Sequence, residues 1–189
     1  LKDAGADIIA SDSTSREGVR NVMSSMQTLG WDAKVVGLPA MLYGDLTEQI
    51  PASTQKQFYA VNYRVGTRTS SPPRPELAAF TEAMKKIRPI QNLAIGALAR
   101  DTMYLVKWAY ETAQKESGNT SAESLKKAME SMPAREYPKN YALVFANPGY
   151  KPGVHTTVEA DYGKFWGLDR VSKPVDGAYE GEDLDLKGL

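Results

Sequence analysis

Ala6-Asp7-Ile8-Ile9-Ala10, followed by Ser11-Asp12-Ser13-Thr14-Ser15, is the stretch on which the fold turns. Its first half is a short apolar run rich in β-branched residues, the composition of a strand covered on both faces in a parallel sheet. Its second half is polar and leads into a helix: from Thr14 to Leu29 the apolar residues Val19, Val22, Met23, Met26 and Leu29 fall on one helical face, and Gly30 ends it. Lys34-Val35-Val36-Gly37 is then the next strand, with Leu38-Pro39-Ala40-Met41-Leu42-Tyr43-Gly44 as the loop at its carboxyl end. Strand, helix and strand in this order make a right-handed crossover, and such folds gather ligands at the carboxyl ends of the strands.

Outward from this unit, Phe58 to Val65 reads as a third strand, and Gly66-Thr67-Arg68-Thr69-Ser70-Ser71-Pro72-Pro73 as a linker or crossing. Arg74 to Arg88, Asn92 to Glu116 and Ser121 to Met132 carry helical periodicity, punctuated by Pro89, Gly118 and Pro133. Tyr141 to Phe145, His155 to Glu159 and Lys164 to Leu168 read as short strands between turns. Upstream, Leu1-Lys2-Asp3-Ala4-Gly5 has the look of a last helical turn with its glycine terminator, so the chain is expected to be the C-terminal part of a longer protein.

Composition narrows the chemistry. The 189 residues hold no cysteine and one histidine, His155, which excludes thiolate chemistry and multi-histidine metal centres. Equal numbers of acidic residues and of Lys plus Arg, 23 each, give no electrostatic footprint for nucleic acid. No phosphate-binding glycine loop and no nucleophile elbow is present. An α/β enzyme acting through His155 and a serine would need partners that only the fold could bring, and a structural or exposed histidine is the plainer reading. The acidic residues Glu180, Glu182, Asp183 and Asp185 read as a solvated tail. Arg100 and Asp101, adjacent in a helix, are expected to point apart and serve separate roles, with either able to cap a neighbouring loop.

Two loops can bind a ligand. Ser11, Asp12 and Ser13 precede a helix start, where hydroxyls and backbone N–H groups suit a ligand carboxylate, although Ser13 or Thr14 could equally serve as a plain N-cap. Leu38, Pro39, Met41 and Tyr43 can line an apolar or aromatic site, or pack against another part of the protein.

In their order and spacing these phrases resemble the type I periplasmic solute-binding proteins of branched-chain amino acid ABC transporters. Leu1 to Ile9 is similar to that family's helix-then-strand phrase, and Met26-Gln27-Thr28-Leu29-Gly30-Trp31 to the end of its next helix. Pro75 to Lys86 resembles the helix after the crossing, and Ala97 to Met103 stands in the place of a tyrosine-aspartate-alanine helix, with Arg100 at the tyrosine. Ser121 to Met132, then Leu143-Val144-Phe145 and Asp161-Tyr162-Gly163-Lys164, are similar to the following helix and closing strands. The resemblance covers nearly the whole chain and about the second half of a typical member.

It implies an α/β fold with Rossmann-like, three-layer αβα lobes and parallel sheets, present as the C-terminal half of a two-lobe protein. Residues 1–66 would belong to the second lobe, 67–140 to the crossing and helices of the first, and 141–189 to closing strands, hinge return and tail. It implies a periplasmic or extracellular receptor, membrane-anchored if a lipoprotein. Such a receptor has no catalytic residue, metal or cofactor, closes on a small solute and docks on a membrane permease; a ligand-sensing module of a receptor or regulator is the alternative. Ser11, Asp12 and Ser13 would bond the solute's polar end, and Leu38, Pro39, Met41 and Tyr43 would shape its apolar side. Members that bind amino acids carry an acid in the loop after the second strand, whereas here none occurs before Asp45. An uncompensated ammonium costs several kcal/mol, so a carboxylate-bearing or aromatic solute is expected. A piece lacking strands that its sheets need is also expected to self-associate.

Overall fold

The computed structural model describes residues 1–13, 15–132, 143–144, 150–154 and 165–183. A single 3₁₀ turn, Lys2–Ala4, closes on Gly5 in the left-handed conformation, and the apolar run after it forms β1 (Ile8–Ala10). α1 (Arg16–Leu29) starts where the Ser15 hydroxyl accepts a hydrogen bond from the Gly18 N–H at 3.1 Å. The N-cap is therefore Ser15, later than the Ser13 or Thr14 expected. The inner face of α1 buries Val19, Met23 and Met26 in one core with Val35, Phe58 and Ala60, which come from β2 (Lys34–Gly37) and β3 (Phe58–Tyr63).

β1, β2 and β3 pair in parallel, with Ile9 beside Val35 and Val36 beside Tyr59. The rest of the sheet departs from the parallel expectation. β4 (Thr67–Arg68) is short, β5 (Trp166–Arg170) runs antiparallel to β3, and β6 (Tyr179–Asp183) runs antiparallel to β5 and parallel to β4. The strand order is β1-β2-β3-β5-β6-β4. The connection from β5 to β6 is too short for a crossover, which leaves antiparallel pairing as its only option.

β6 corrects the sequence reading of a solvated acidic tail. Asp183 accepts two bonds from the Arg64 guanidinium, at 2.5 and 2.7 Å. Glu180 pairs with Arg68 at 3.1 Å and Glu182 with Arg170 at 3.3 Å. Arginines from neighbouring strands and turns thus neutralise a segment that looks too charged for a sheet. Asp185 lies outside the described residues, as do His155 to Glu159 and all of Tyr141 to Phe145 except Leu143 and Val144.

The chain divides into two packed units, Leu1–Gly96 with Gly163–Leu189, and Ala97–Tyr162. α2 (Pro75–Lys85) falls in the first, and the boundary lies inside α3 (Leu93–Ser117). In the second unit α3 packs on α4 (Ala122–Ser131) through the small residues Ala109, Ala113 and Ala128, flanked by Trp108, Leu125 and Met129. Asp101, which is buried, accepts the backbone N–H of Leu143 at 2.8 Å and of Val144 at 2.7 Å. Burial pushes its carboxyl above the usual range, against the pull of these N–H groups and of Arg100. Arg100 does meet Asp101, at 3.2 Å, contrary to the expectation for adjacent helical residues. The Arg100 guanidinium also lies over the Tyr104 ring, one turn on, 4.4 Å from the centroid.

Candidate functional site

The parallel strands end at two loops held mainly through their own backbones. After β1, the Ser11 N–H donates to the Val36 carbonyl at 2.8 Å, which carries the ladder one residue past the strand. The Ser13 hydroxyl accepts from the Ser15 N–H at 3.4 Å, and Asp12 is exposed. After β2 the chain makes a 3₁₀ turn, Pro39–Met41.

That second loop is clamped from three sides. The Asn92 amide donates to the carbonyls of Pro39, at 3.1 Å, and Leu42, at 2.8 Å, while its oxygen accepts the Ile95 N–H at 3.0 Å and so caps α3. The Gly44 N–H donates to the Gln91 carbonyl at 2.9 Å. The buried Tyr179 hydroxyl donates to the Gly44 carbonyl and accepts from the Leu46 N–H at 3.0 Å. Burial raises that phenol to about 12, so it remains a donor at any physiological pH. Gly44 has φ of 75°, a conformation that L side chains rarely adopt.

Beside these loops a cleft of about 620 Å³ opens in the first unit, within the range of small-molecule sites. Its walls include Arg16, Asp45, Glu48, Lys85, Gln91 and Asp176. Lys85 is held by Glu82 at 3.1 Å and Asp176 at 3.3 Å. Asp45 uses one carboxylate oxygen to accept the Thr47 N–H at 2.9 Å and the Thr47 hydroxyl at 2.6 Å, capping the next turn. Among the described residues no cluster of acids and histidine is arranged to hold a metal ion.

Of the seven residues expected at the site, Ser11, Ser13, Leu38, Pro39 and Tyr43 stand on the two loop ends, and Asp12 faces solvent. None of the seven lines this cleft, whose walls begin just beyond them, at Arg16 and at Gly44. Met41 is corrected from lining to core: it is fully buried, packed against Gly37 and Phe58, and supports the loop from beneath. The sequence reading passed over Arg16, Gln91, Asn92 and Asp176. Two had visible signals: Arg16 is a cation in a first helical turn, where the dipole favours anions, and Asp176-Gly177 is a tight-hairpin dipeptide, here with Asp176 at φ of 50°.

No protein-family model matches the sequence, and no curated protein matches it. Solved structures share its fold. The chain is similar to a type 1 periplasmic binding protein from Bordetella pertussis Tohama I, at 17% identity and a TM-score of 0.67, over 93% of this chain and 48% of that one. It is similar to a branched-chain amino acid ABC transporter protein from Thermus thermophilus with bound valine, at 14% identity and 0.59, over 95% and 46%. A fatty acid ABC transporter substrate-binding protein from Thermomonospora curvata matches at 15% and 0.62, over 96% and 43%. The chain thus has the α/β fold of the type I periplasmic binding proteins, as the resemblance implied, and spans about half the length of these structures.

Proposed function

We propose that this chain is the C-terminal portion of an extracytoplasmic solute-binding protein that serves an ABC importer, with a membrane permease as its partner. It binds a small solute, an amino acid or a carboxylate or aromatic compound, and closes on it by a hinge motion. The observation that carries this reading is the pair of backbone-clamped loops at the carboxyl ends of β1 and β2 beside an open cleft. Rigid loops next to open space suit a group that must recognise without reacting. Ser11 and Ser13 would meet the solute's polar groups, and Leu38, Pro39 and Tyr43 its apolar body.

Titration calorimetry of the full-length protein tests the proposal, with a panel of amino acids, aromatic acids, fatty acids and neutral aromatic alcohols. Saturable binding of one of these classes is the expected result, and the absence of binding by all of them would defeat the proposal. Tight binding of leucine would defeat the narrower expectation, drawn from the absence of an acid before Asp45, that an α-amino group is not recognised.

A further inference from the structure

Two cations line the cleft, Arg16 and Lys85. Arg16, the first residue of α1, has its guanidinium carbon 5.6 Å from the centre of the Tyr43 ring. A Cβ at Gly44 would come within 3.1 Å of its Nη1 and 3.3 Å of the Gln91 side-chain oxygen, so these two groups flank the bare glycine. Asp45, Glu48 and Asp176 line the same cleft, yet among the described residues no carboxylate pairs with Arg16. The cleft's other cation, Lys85, is already taken by Glu82 and Asp176.

We infer that Arg16, backed by Tyr43, is the specificity-determining residue of this site and takes the carboxylate of a monocarboxylate solute; the inference rests on the solute-binding reading. A guanidinium presents a planar fork of donors that matches a carboxylate, and it keeps its charge at any working pH. The Tyr43 ring, within cation–π range of the guanidinium, favours its charge without using up its N–H donors. An anion there also offsets the positive end of α1, which the arginine itself aggravates. The acids on the cleft wall set the upper limit on solute charge, because a second carboxylate would face Asp45, Glu48 and Asp176 without a free cation to meet it. The Gln91 amide remains available for a further polar group of the solute.

The test is calorimetry on the full-length protein and its Arg16→Gln variant, with matched probes: phenylacetate against phenylacetamide, isovalerate against isovaleramide, then phenylsuccinate and L-leucine. Each bound carboxylate is expected to exceed its carboxamide by about 10- to 100-fold, the worth of a charged hydrogen-bonded contact. Arg16→Gln is expected to reduce the acid to the level of the amide, with the unfolding temperature unchanged because the side chain is exposed. Phenylsuccinate is expected to bind no better than phenylacetate. If acids or L-leucine bind with an affinity indifferent to Arg16, the inference fails while the solute-binding reading stands. If only neutral solutes bind, the monocarboxylate class fails with it. If no solute of either panel binds, both fall.

Discussion

Asp169→Asn is the substitution whose effect the structure specifies most sharply. Asp169 lies in β5 between Ala60 of β3 and Gly181 of β6, with no solvent exposure. One carboxyl oxygen accepts from the Asn62 amide at 2.6 Å, the Thr67 hydroxyl lies nearby without a well-formed bond, and the other oxygen has no partner. No cation among the described residues faces it. Gly181 is bare of necessity, since a Cβ would come within 2.7 Å of that second oxygen. Burial therefore dominates and raises the carboxyl from 3.8 to about 7. The sign follows from linkage: between these values the folded chain keeps a proton that the unfolded chain has released, so stability falls as pH rises. At 1.36 kcal/mol per pH unit the loss is on the order of 4 kcal/mol, complete once pH passes the folded value. Asparagine keeps the shape and cannot ionise. In urea unfolding followed by tryptophan fluorescence, the stability of Asp169→Asn relative to the wild type should climb by roughly that amount from about pH 4 to about pH 8. A difference between the two proteins that stays constant across this range would refute the assignment of a buried, strongly shifted carboxyl.

Other outcomes follow from features already described. Asn92→Ala removes two bonds to the loop and the cap of α3, and should cost about 1–3 kcal/mol while weakening solute binding more than a substitution on the outer face of α3 does; equal unfolding midpoints would contradict the clamp. Asp101→Ala leaves the Leu143 and Val144 N–H groups without their acceptor, and a loss of about 1.5–3 kcal/mol is expected, with faster amide exchange at those two positions as the local readout. β1 ends the sheet and Ile8 is 63% exposed, so the isolated 189 residues should self-associate in size-exclusion chromatography with light scattering, and Ile8→Lys should reduce this. A clean monomer would remove the edge from consideration.

The strand-helix-strand opening was legible because local signals agree there: a β-branched run, a polar cluster, an amphipathic face and Gly30. β6 was not legible, because its partners Arg64, Arg68 and Arg170 are distant in sequence, and without them Glu180, Glu182 and Asp183 look like solvated charge. The cleft hid for the same reason. Its walls come from the start of α1, the loop after β2, the end of α2, the approach to α3 and the turn before β6, and no window of sequence contains more than a fraction of it. Loop residues could be nominated by position, as Ser11 and Tyr43 were, yet position could not separate Met41, which turns inward, from its neighbour Tyr43, which does not.

Every bond that Asn92, Gln91 and Tyr179 make to the loop after β2 ends on a main-chain atom. The loop's shape is therefore insured by residues outside it, and the exposed side chains at Leu38 and Tyr43 are free to change without loosening the path of the backbone. Selection, or a designer, could exchange them for others at little expense in folding. Substitution of Asn92 or Tyr179, which hold the loop through their side chains, would do the opposite, freeing the backbone path while leaving the loop's exposed side chains intact.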